Sequence, residues 1–333
     1  MTPLFFGMSG PVLTAGERKL FRDADPAGYI LFKRNCIDPD QVLALTDSLR
    51  ELADRDLPIL IDQEGGRVAR LQPPHWPEFP AAARFGALYD RAPIAAIEAA
   101  RLNALALALT LRDVGVTVNC LPLVDVRQDG AHDIIGDRAY ASDPMWVAAL
   151  GKATLDGLRA GGVAGVVKHI PGHGRALVDS HVELPVVTAD RATLDVDFEP
   201  FQKLNAAPMA MTAHVVYTAL DAERCATLSP TVIEQTIRGH IGFDGLLMSD
   251  DLGMEALGGS YAARARGALA AGCDIALHCS GDLADMREIA SAVPQITPEA
   301  AQRLAAAMLW AITPKFADVA EISARRDELL AAG

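Results

Sequence analysis

The segment KHIPGHGRALVDSH, which runs from Lys168 to His181, concentrates residues that can do chemistry. It holds three histidines, a lysine and an aspartate, with a proline and two glycines between them. Such a segment could bind a metal ion, surround a phosphate group or transfer protons. Each of these chemistries implies a different class of protein.

Metal binding would use His169, His173 or His181 together with Asp179, because imidazole and carboxylate groups are common zinc ligands. The HIPGH pair contains proline and glycine, however, so it does not fit the helix face that carries an HExxH pair. The HxH pattern expected of metal-dependent barrel hydrolases does not occur. A phosphate site would use the backbone amides of PGHG with Lys168, but neither GxxxxGK[ST] nor GxGxxG spacing is present.

Proton transfer is the third chemistry, and the spacing of Asp179 and His181 favours it. The two residues lie two apart in a loop, so the carboxylate can accept a hydrogen bond from one imidazole nitrogen while the other nitrogen faces a substrate. This arrangement fixes the tautomer and favours the imidazolium form. Lys168 and His169, at the end of the preceding apolar run, add weight to this interpretation.

A second group of acids lies in SDDLGM, which contains Asp250 and Asp251 and directly follows the apolar run GLLM. Two adjacent acids at the end of a buried strand would be costly to ionise without cations nearby. Lys168, Arg70 and Arg138 are the cations that could fill this role. Asp251 could be the N-cap of the following segment, whereas one acid of the pair is well placed to act as a nucleophile.

The elements that must position these residues alternate along the chain: short apolar runs, then loops, then Ala/Leu-rich helical stretches. The predicted strands begin at Leu4, Gly28, Pro58, Val116, Val163, Pro208, Gly245 and Cys273. The predicted helices are Asp40 to Arg55, Ile94 to Asp113, Met145 to Ala160, Ala192 to Leu204, Ser229 to Ile237, Ser260 to Ala271, Pro298 to Ala311 and Ala317 to Ala332. Eight strands with crossover helices predict a TIM-like (β/α)₈ barrel, with a doubly wound open sheet as the alternative. We expect one catalytic domain over residues 1–333, with long active-site loops and C-terminal helices.

The bulk composition limits the class of protein. The 333 residues are 50% hydrophobic and 22% charged, with a net charge of −13 and no basic block, which argues against nucleic-acid and membrane-surface binding. The five cysteines are widely spaced and form no CxxC pair, so we expect free, buried thiols. The N-terminus has no basic region before its apolar residues, and the segment from Ile94 to Val114 carries charges, so we expect a cytoplasmic protein without a membrane span.

Chemistry-capable residues fall at the ends of the predicted strands: Asp62, Asp125, Lys168 with His169, His214, Asp250 and His278. In a barrel these strand ends converge on one face, where the active sites of this fold lie. Polar residues placed for solubility alone would be scattered or would lie within helices. The pattern therefore favours an enzyme over a scaffold or a partner-binding protein.

Several of the polar residues also have structural interpretations. Glu64, in DQEGGR, could rival Asp250 as a nucleophile, but a turn role beside two glycines is favoured. His173 is expected to take part in hydrogen bonding within its own loop. His214 and His278 either line the pocket or satisfy the barrel rim, and the sequence favours neither.

Four motifs together resemble the bacterial β-N-acetylglucosaminidases of glycoside hydrolase family 3, of the cytoplasmic, single-domain, peptidoglycan-recycling kind. They are IDQEGGRVARL from Ile61, IGDRAY from Ile135, KHIPGHG followed by DSH, and MSDDLGM. They occur in the family's order and with matching spacing. Small departures are Ile170 where phenylalanine is usual, Arg175 after the PGHG turn, and HCSG where asparagine usually follows the cysteine.

The resemblance implies a retaining exo-glycosidase that removes terminal N-acetylglucosamine from N-acetylglucosaminyl-1,6-anhydro-N-acetylmuramic acid fragments, with or without peptide. By motif position, Asp250 is implied as the nucleophile, and His181 as the general acid/base with Asp179 as its partner. Further residues are implied to hold the sugar hydroxyls and the acetamido group: Asp62, Arg70, Arg138, Lys168 and His169. No metal or cofactor is expected, and the partner is a small carbohydrate or muropeptide bound by a monomer.

A histidine in place of the usual second carboxyl group changes the electrostatics of a retaining site, because an aspartate and a histidine can carry opposite charges. A histidine pKa of about 6.5 suits a group that first donates a proton and then accepts one. Many larger family members carry a second α/β domain that contributes an acid/base carboxylate, and here we expect the loop of His181 to supply the acid/base instead. Its glycines, Gly172 and Gly174, suggest that it moves over bound sugar. A metal-dependent barrel hydrolase, a glycoside phosphorylase and a non-catalytic sugar-binding protein remain as alternatives.

Overall fold

The computed structural model of the chain describes residues 1–128, 130, 132–178, 180, 183–311 and 317–332. Within these residues the strands are β1 (Thr2–Gly7), β2 (Pro26–Leu31), β3 (Ile59–Ile61), β4 (Val118–Asn119), β5 (Ala164–Ile170), β6 (Val186–Val187), β7 (Met209–Thr212), β8 (Val216–Tyr217), β9 (Leu246–Met248) and β10 (Ala276–His278). The helices are α1 (Ala15–Ala24), α2 (Pro39–Ala53), α3 (Ala82–Tyr89), α4 (Pro93–Asp113), α5 (Pro144–Ala160), α6 (Arg191–Lys203), α7 (Tyr261–Ala271), α8 (Leu283–Ala292), α9 (Pro298–Met308) and α10 (Val319–Ala332). A further helical segment spans Val232–His240.

The main sheet is parallel throughout and has the strand order β10-β1-β2-β3-β4-β5-β7-β9. A parallel bridge between Met248 and Ile275 connects the two edges of this sheet and brings them together into a barrel. Each predicted apolar run overlaps one of these eight strands. The predicted (β/α)₈ barrel is therefore confirmed, and the open doubly wound sheet is excluded.

The barrel interior is filled by apolar side chains from alternate positions on the strands, because successive residues of a strand point to opposite faces. Phe5, Ile30, Leu60 and Val166 belong to this interior cluster. Helix α9 adds Leu304 and Ala307 to the same cluster. The strand-end side chains therefore lie on top of a closely packed apolar layer, which limits their movement.

Helix α4 is long and apolar enough, by length and composition alone, to cross a membrane. In the fold it is a core helix: its residues from Leu102 to Leu111 are mostly buried, and it packs against α5 and α10. This packing agrees with the predicted buried helix. Burying a leucine side chain stabilises a fold by about 1.5–3 kcal/mol, so this helix contributes substantially to the stability of the barrel.

Three helices of the structure were not predicted: α1, α3 and α8. Helix α1 is short and largely polar, but a capping box marks its start. The Thr14 hydroxyl accepts a hydrogen bond from the Glu17 amide at 3.2 Å, and the Glu17 carboxylate accepts one from the Thr14 amide at 2.7 Å. This T-x-x-E pattern was available in the sequence as a helix-start signal.

The cysteines are free thiols, as predicted. Cys36 is partly buried, while Cys120, Cys225, Cys273 and Cys279 are buried. Burial raises the pKa of Cys225 to about 11, which keeps this thiol protonated and unreactive at neutral pH.

Candidate active site

Lys168, a residue of β5, lies with its ammonium group between two carboxylates that follow β3. Its Nζ is 3.0 Å from Asp62 Oδ1 and 2.7 Å from Glu64 Oε1. The lysine side chain is only 2% exposed, so the charge would be very costly to bury without these partners. Burial alone would lower the pKa of Lys168, but the two carboxylates outweigh it and hold the pKa above its ordinary value.

Two arginines complete this ion cluster. Arg138 donates from Nε to Glu64 Oε2 at 2.9 Å and from Nη2 to Glu64 Oε1 at 2.8 Å, which is a bidentate pair. Arg70 donates from Nη2 to Asp62 Oδ2 at 3.1 Å. The five charges join β3, β5 and the short helical turn Gly136–Arg138 into one network.

The acids of the cluster are ionised at neutral pH. Burial would raise the pKa of Glu64, but the charges of Lys168 and Arg138 lower it to about 2. Asp62 behaves in the same way: Lys168 and Arg70 hold the pKa of its carboxyl well below the usual range, despite burial. The site therefore presents both hydrogen-bond donors and anionic acceptors of fixed charge, a combination suited to sugar hydroxyl groups.

Asp125 follows β4 and organises the start of the PGHG segment. Its Oδ2 accepts from His169 Nδ1 at 2.8 Å, and its Oδ1 accepts from the backbone amides of His169 and His173 at 3.2 and 2.6 Å. Asp125 is fully buried, and although burial alone would raise its pKa, His169 and these bonds lower it. With Nδ1–H directed at Asp125, the other ring nitrogen of His169 is available to a ligand in a fixed orientation.

Asp250 and Asp251 follow β9 on the same face of the barrel. The backbone amide of Asp251 donates to Asp250 Oδ1 at 2.8 Å. Asp251 Oδ1 accepts from the amides of Gly253 at 2.9 Å and Cys279 at 3.0 Å. Asp251 thus stabilises the turn and its contact with the segment after β10, and it caps none of the helices described. Both Asp250 and Asp251 line the pocket on this face of the barrel.

A cavity of about 200 Å³ brings these side chains together. The predicted residues Asp62, Arg70, Arg138, Lys168, His169 and Asp250 all line it. Phe32, Val68, Ile134, Ile135, Met254 and Leu277 supply apolar surface to the same cavity. A polar cavity with an apolar border is typical of a small-ligand site.

Asp179 and His181, the predicted acid/base pair, lie outside the described residues. Ser180, between them in sequence, is buried and lines the cavity, and its Oγ is 3.2 Å from His173 Nε2. Burial lowers the pKa of His173 to about 4, so its ring is neutral at pH 7. This contact confirms that His173 takes part in hydrogen bonding within its own loop.

The sequence interpretation missed the role of Glu64. It was assigned to a turn or to a rival nucleophile, but its carboxylate is the shared partner of Lys168 and Arg138. A bidentate arginine and a lysine on the same carboxylate leave it poorly placed to attack a sugar. The signal in the sequence was the D-x-E spacing after β3, which puts two acids at one strand end near the predicted cations.

His214 and His278 are both fully buried. His214 Nε2 donates to the backbone oxygen of Asp251 at 3.0 Å, and His278 Nε2 is 2.8 Å from Ser280 Oγ. Both rings are held by hydrogen bonds close to the strand ends. For these two residues the rim interpretation is the one that the contacts support.

Comparison with known proteins gives a consistent result. Residues 12–308 match the model of the glycosyl hydrolase family 3 N terminal domain. A beta-hexosaminidase from Alkalilimnicola ehrlichii is 40% identical over 283 residues, 84% of this chain and 80% of that protein. A beta-hexosaminidase from Bordetella avium is 38% identical over 289 residues, 85% of this chain and 82% of that protein.

Solved structures agree with these relatives. The crystal structure of native NagZ from Neisseria gonorrhoeae has a TM-score of 0.88 and 31% identity, and the match covers 99% of this chain and 98% of that one. A glycoside hydrolase family 3 beta-N-acetylglucosaminidase from a Paenibacillus species has a TM-score of 0.88 and 30% identity, covering 98% of this chain and 66% of that one.

Proposed function

The chain belongs to glycosyl hydrolase family 3 and is a β-N-acetylhexosaminidase, and on this basis we propose that it removes terminal N-acetylglucosamine with retention of configuration. The observation that carries the proposal is one cavity that contains both the strand-end acid Asp250 and the ion cluster around Lys168. The acid supplies a nucleophile, and the cluster supplies directional donors and acceptors for a sugar.

In the first step, a carboxylate oxygen of Asp250 bonds to the anomeric carbon while the bond from that carbon to the leaving oxygen breaks. His181, supported by Asp179, gives its proton to the leaving oxygen. In the second step His181 takes a proton from water, the water oxygen bonds to the anomeric carbon, and the ester to Asp250 breaks. Splitting the reaction through a glycosyl ester replaces one difficult step by two easier ones.

The sugar-binding part of the proposal uses the other residues of the cavity. Lys168, Arg138 and Arg70 donate to hydroxyl or carbonyl oxygens, and Asp62 accepts from hydroxyl groups. His169, oriented by Asp125, contributes one ring nitrogen. The pKa of Asp62 lies below its ordinary value and the pKa of Lys168 lies above its own. Both groups therefore stay charged across neutral pH, and their contacts with the sugar do not change with pH in this range.

The natural substrates in this proposal are N-acetylglucosaminyl-1,6-anhydro-N-acetylmuramic acid fragments, with or without peptide, and the place of action is the cytoplasm. The resemblance to the peptidoglycan-recycling members of the family supports this choice. The similar proteins named beta-N-acetylglucosaminidase support N-acetylglucosamine as the sugar.

Release of 4-nitrophenol from 4-nitrophenyl N-acetyl-β-glucosaminide tests the reaction, with the plain β-glucoside as the comparison substrate. Asp250→Ala should abolish turnover, and a 2-deoxy-2-fluoro glycosyl reagent should label Asp250. A label found on Glu64 or Asp251 by peptide mass spectrometry would contradict the assignment.

Three additional measurements address the alternatives. Loss of activity with a chelator and recovery with added metal would identify a metal-dependent hydrolase. Formation of sugar 1-phosphate faster than free sugar in phosphate buffer would identify a phosphorylase, in which phosphate replaces water in the second step. Binding of N-acetylglucosamine without any turnover would identify a sugar-binding protein.

A further inference from the structure

His214 occupies a position between two barrel strands that the proposed reaction does not yet use. It lies two residues beyond the end of β7, while the Asp250–Asp251 turn follows β9, the neighbouring strand. The ring is fully buried and bonded at both nitrogens: Nε2 is 3.0 Å from the Asp251 backbone oxygen, and Nδ1 is 2.8 Å from Thr227 Oγ1.

The chemistry of these partners fixes the proton on the ring. A backbone carbonyl oxygen only accepts, so Nε2 must carry the hydrogen. Burial lowers the pKa of His214, against the opposing effect of the Asp250 carboxylate, so the ring is neutral at pH 7. In a neutral ring Nδ1 then accepts from the Thr227 hydroxyl, whose oxygen is also 3.1 Å from the Ala213 backbone oxygen and 2.8 Å from Thr212 Oγ1. His214 is therefore held in one tautomer and one orientation.

The backbone of Asp251 connects His214 to the Asp250 carboxylate. On one side of this residue the amide donates to Asp250 Oδ1 at 2.8 Å, and on the other side its carbonyl accepts from His214. The amide belongs to the peptide unit before the Asp251 Cα and the carbonyl to the unit after it, so the two groups are linked through the backbone dihedrals of Asp251. By holding the carbonyl, the bond from His214 limits these dihedrals and so restrains the adjoining peptide unit, whose amide donates to Asp250.

We propose that His214 is a positioning residue for the reaction: through the Asp251 backbone it aims the Asp250 carboxylate at the anomeric carbon. The inference rests on the proposed role of Asp250 as the nucleophile. His214 touches no reacting atom in this scheme, and its effect is on the orientation of the carboxylate.

A pair of neutral substitutions separates the two ring nitrogens. In His214→Gln the amide nitrogen can reach the position of Nε2 and donate to Asp251, whereas in His214→Asn it reaches only the position of Nδ1, beside Thr227. We expect His214→Asn to lower kcat by about 10- to 100-fold, because displacing a reacting group by about 1 Å costs a factor of this order. KM should stay within about twofold, since sugar binding is unchanged. His214→Gln should recover kcat to within about fivefold of wild type.

The rate at which the fluorinated reagent labels Asp250 should fall in parallel with kcat in His214→Asn. Equal kcat values in the two variants would overturn the proposal, as would a change in KM alone or a fall in kcat that follows the melting temperature. If neither variant folds, Thr227→Ser and Thr227→Val give the second test, because only serine keeps the hydroxyl on Nδ1. We expect kcat to be about 3- to 10-fold lower in Thr227→Val than in Thr227→Ser, and equal values would overturn the proposal.

The labelling site of the wild-type enzyme distinguishes this inference from the proposed function. A wild-type label on another residue means that the proposed nucleophile is wrong. A normal wild-type label on Asp250, with no difference between the glutamine and asparagine variants, means that only the role of His214 is wrong.

Discussion

Glu64 and Arg138 form a bidentate ion pair in the active-site cavity, with Oε2 to Nε at 2.9 Å and Oε1 to Nη2 at 2.8 Å. Oε1 of Glu64 is also 2.7 Å from Nζ of Lys168. One buried carboxylate therefore holds two of the cations proposed to bind the sugar. The arrangement makes Glu64 the centre of the cluster, whereas the sequence favours a turn role over its alternative as a nucleophile.

Glu64→Gln should weaken substrate binding and lower stability together. The amide keeps the shape of the side chain but removes the negative charge that compensates two buried cations. Breaking a buried pair by removing one partner costs about 3 to 5 kcal/mol, so we expect a fall of this order in the free energy of unfolding. KM for the chromogenic substrate should rise by about 10-fold or more, measured by initial rates alongside denaturant unfolding.

Glu98→Gln is the matched control for this substitution. Glu98 pairs with Arg101 at 2.6 Å on a partly exposed face of α4, where a salt bridge contributes only about 0 to 1 kcal/mol. KM should not change in this variant. If Glu64→Gln and Glu98→Gln behaved alike, the central role of Glu64 would be refuted.

Asp125→Asn should lower kcat/KM by about 10- to 100-fold through His169. The carboxylate accepts a hydrogen bond from His169 Nδ1. If the asparagine turned its amide nitrogen toward the ring, its N–H and the ring N–H would both be donors and could not bond to each other. The ring must then change its tautomer or move, which alters what it offers to the sugar. Steady-state kinetics with 4-nitrophenyl N-acetyl-β-glucosaminide measure this effect.

Asp143→Asn is the comparison, because Asp143 is the N-cap of α5 and asparagine caps helices about as well as aspartate. This variant should keep kcat/KM and stability close to wild type. A wild-type kcat/KM in Asp125→Asn would rule out the proposed orientation of His169.

Asp197 on α6 gives a pH dependence of opposite sign to that of the cluster acids. Burial raises its pKa to about 6, although Arg175 partly offsets this effect. The unfolded chain loses the same proton near pH 4, so between about pH 4 and 6 the folded state binds more protons. The free energy of unfolding should therefore fall as the pH rises through this window.

The comparison of wild type with Asp197→Asn measures this contribution, since asparagine does not titrate. Relative to wild type, the variant should become more stable as the pH rises from 4 to 7, in denaturant unfolding at several pH values. A difference that stays constant over this range, or changes in the opposite direction, would contradict the raised pKa.

Gly174→Ala should disturb the segment that carries His173. A Cβ at this position would lie 1.9 Å from the backbone oxygen of Val126, so the two segments would have to separate. We expect a destabilisation of about 1 to 3 kcal/mol and a loss of activity, measured by thermal unfolding and initial rates. Gly258→Ala is the control, because its Cβ would meet nothing within 4 Å, and it should leave both quantities near wild type.

Gly172 and Gly174 suggest, from the sequence, a loop that moves over bound sugar, and this movement stays a prediction. The structure supplies a local reason for each of them. Gly172 has a φ of +139°, a conformation that other residues rarely adopt, and Gly174 allows the close backbone approach to Val126. Neither requirement depends on movement of the loop.

The sequence was sufficient to predict the barrel and the strand-end location of the site. Each of the eight apolar runs overlaps a barrel strand, because strands buried on both faces are mostly apolar whatever their partners are. Helices α2, α4, α5, α6 and α7 lie within a few residues of their predicted bounds. Helices α1, α3 and α8 were not predicted because their apolar patterns are short. Side-chain caps at Thr14 and Asp282 mark the starts of α1 and α8, whereas Ala81 before α3 provides none.

The pairing of charges was decided by the tertiary structure alone. Arg138 lies 74 residues from Glu64 and Lys168 lies 106 residues from Asp62, so no local pattern specifies which acid meets which cation. The same holds for His214, whose partner Asp251 is 37 residues away on the turn after a neighbouring strand. Residue type and apolar periodicity depend on a few consecutive positions, and they determine where the strands form. The contacts of a strand-end side chain depend on strand order, register and closure of the barrel, and these exist only once the chain has folded.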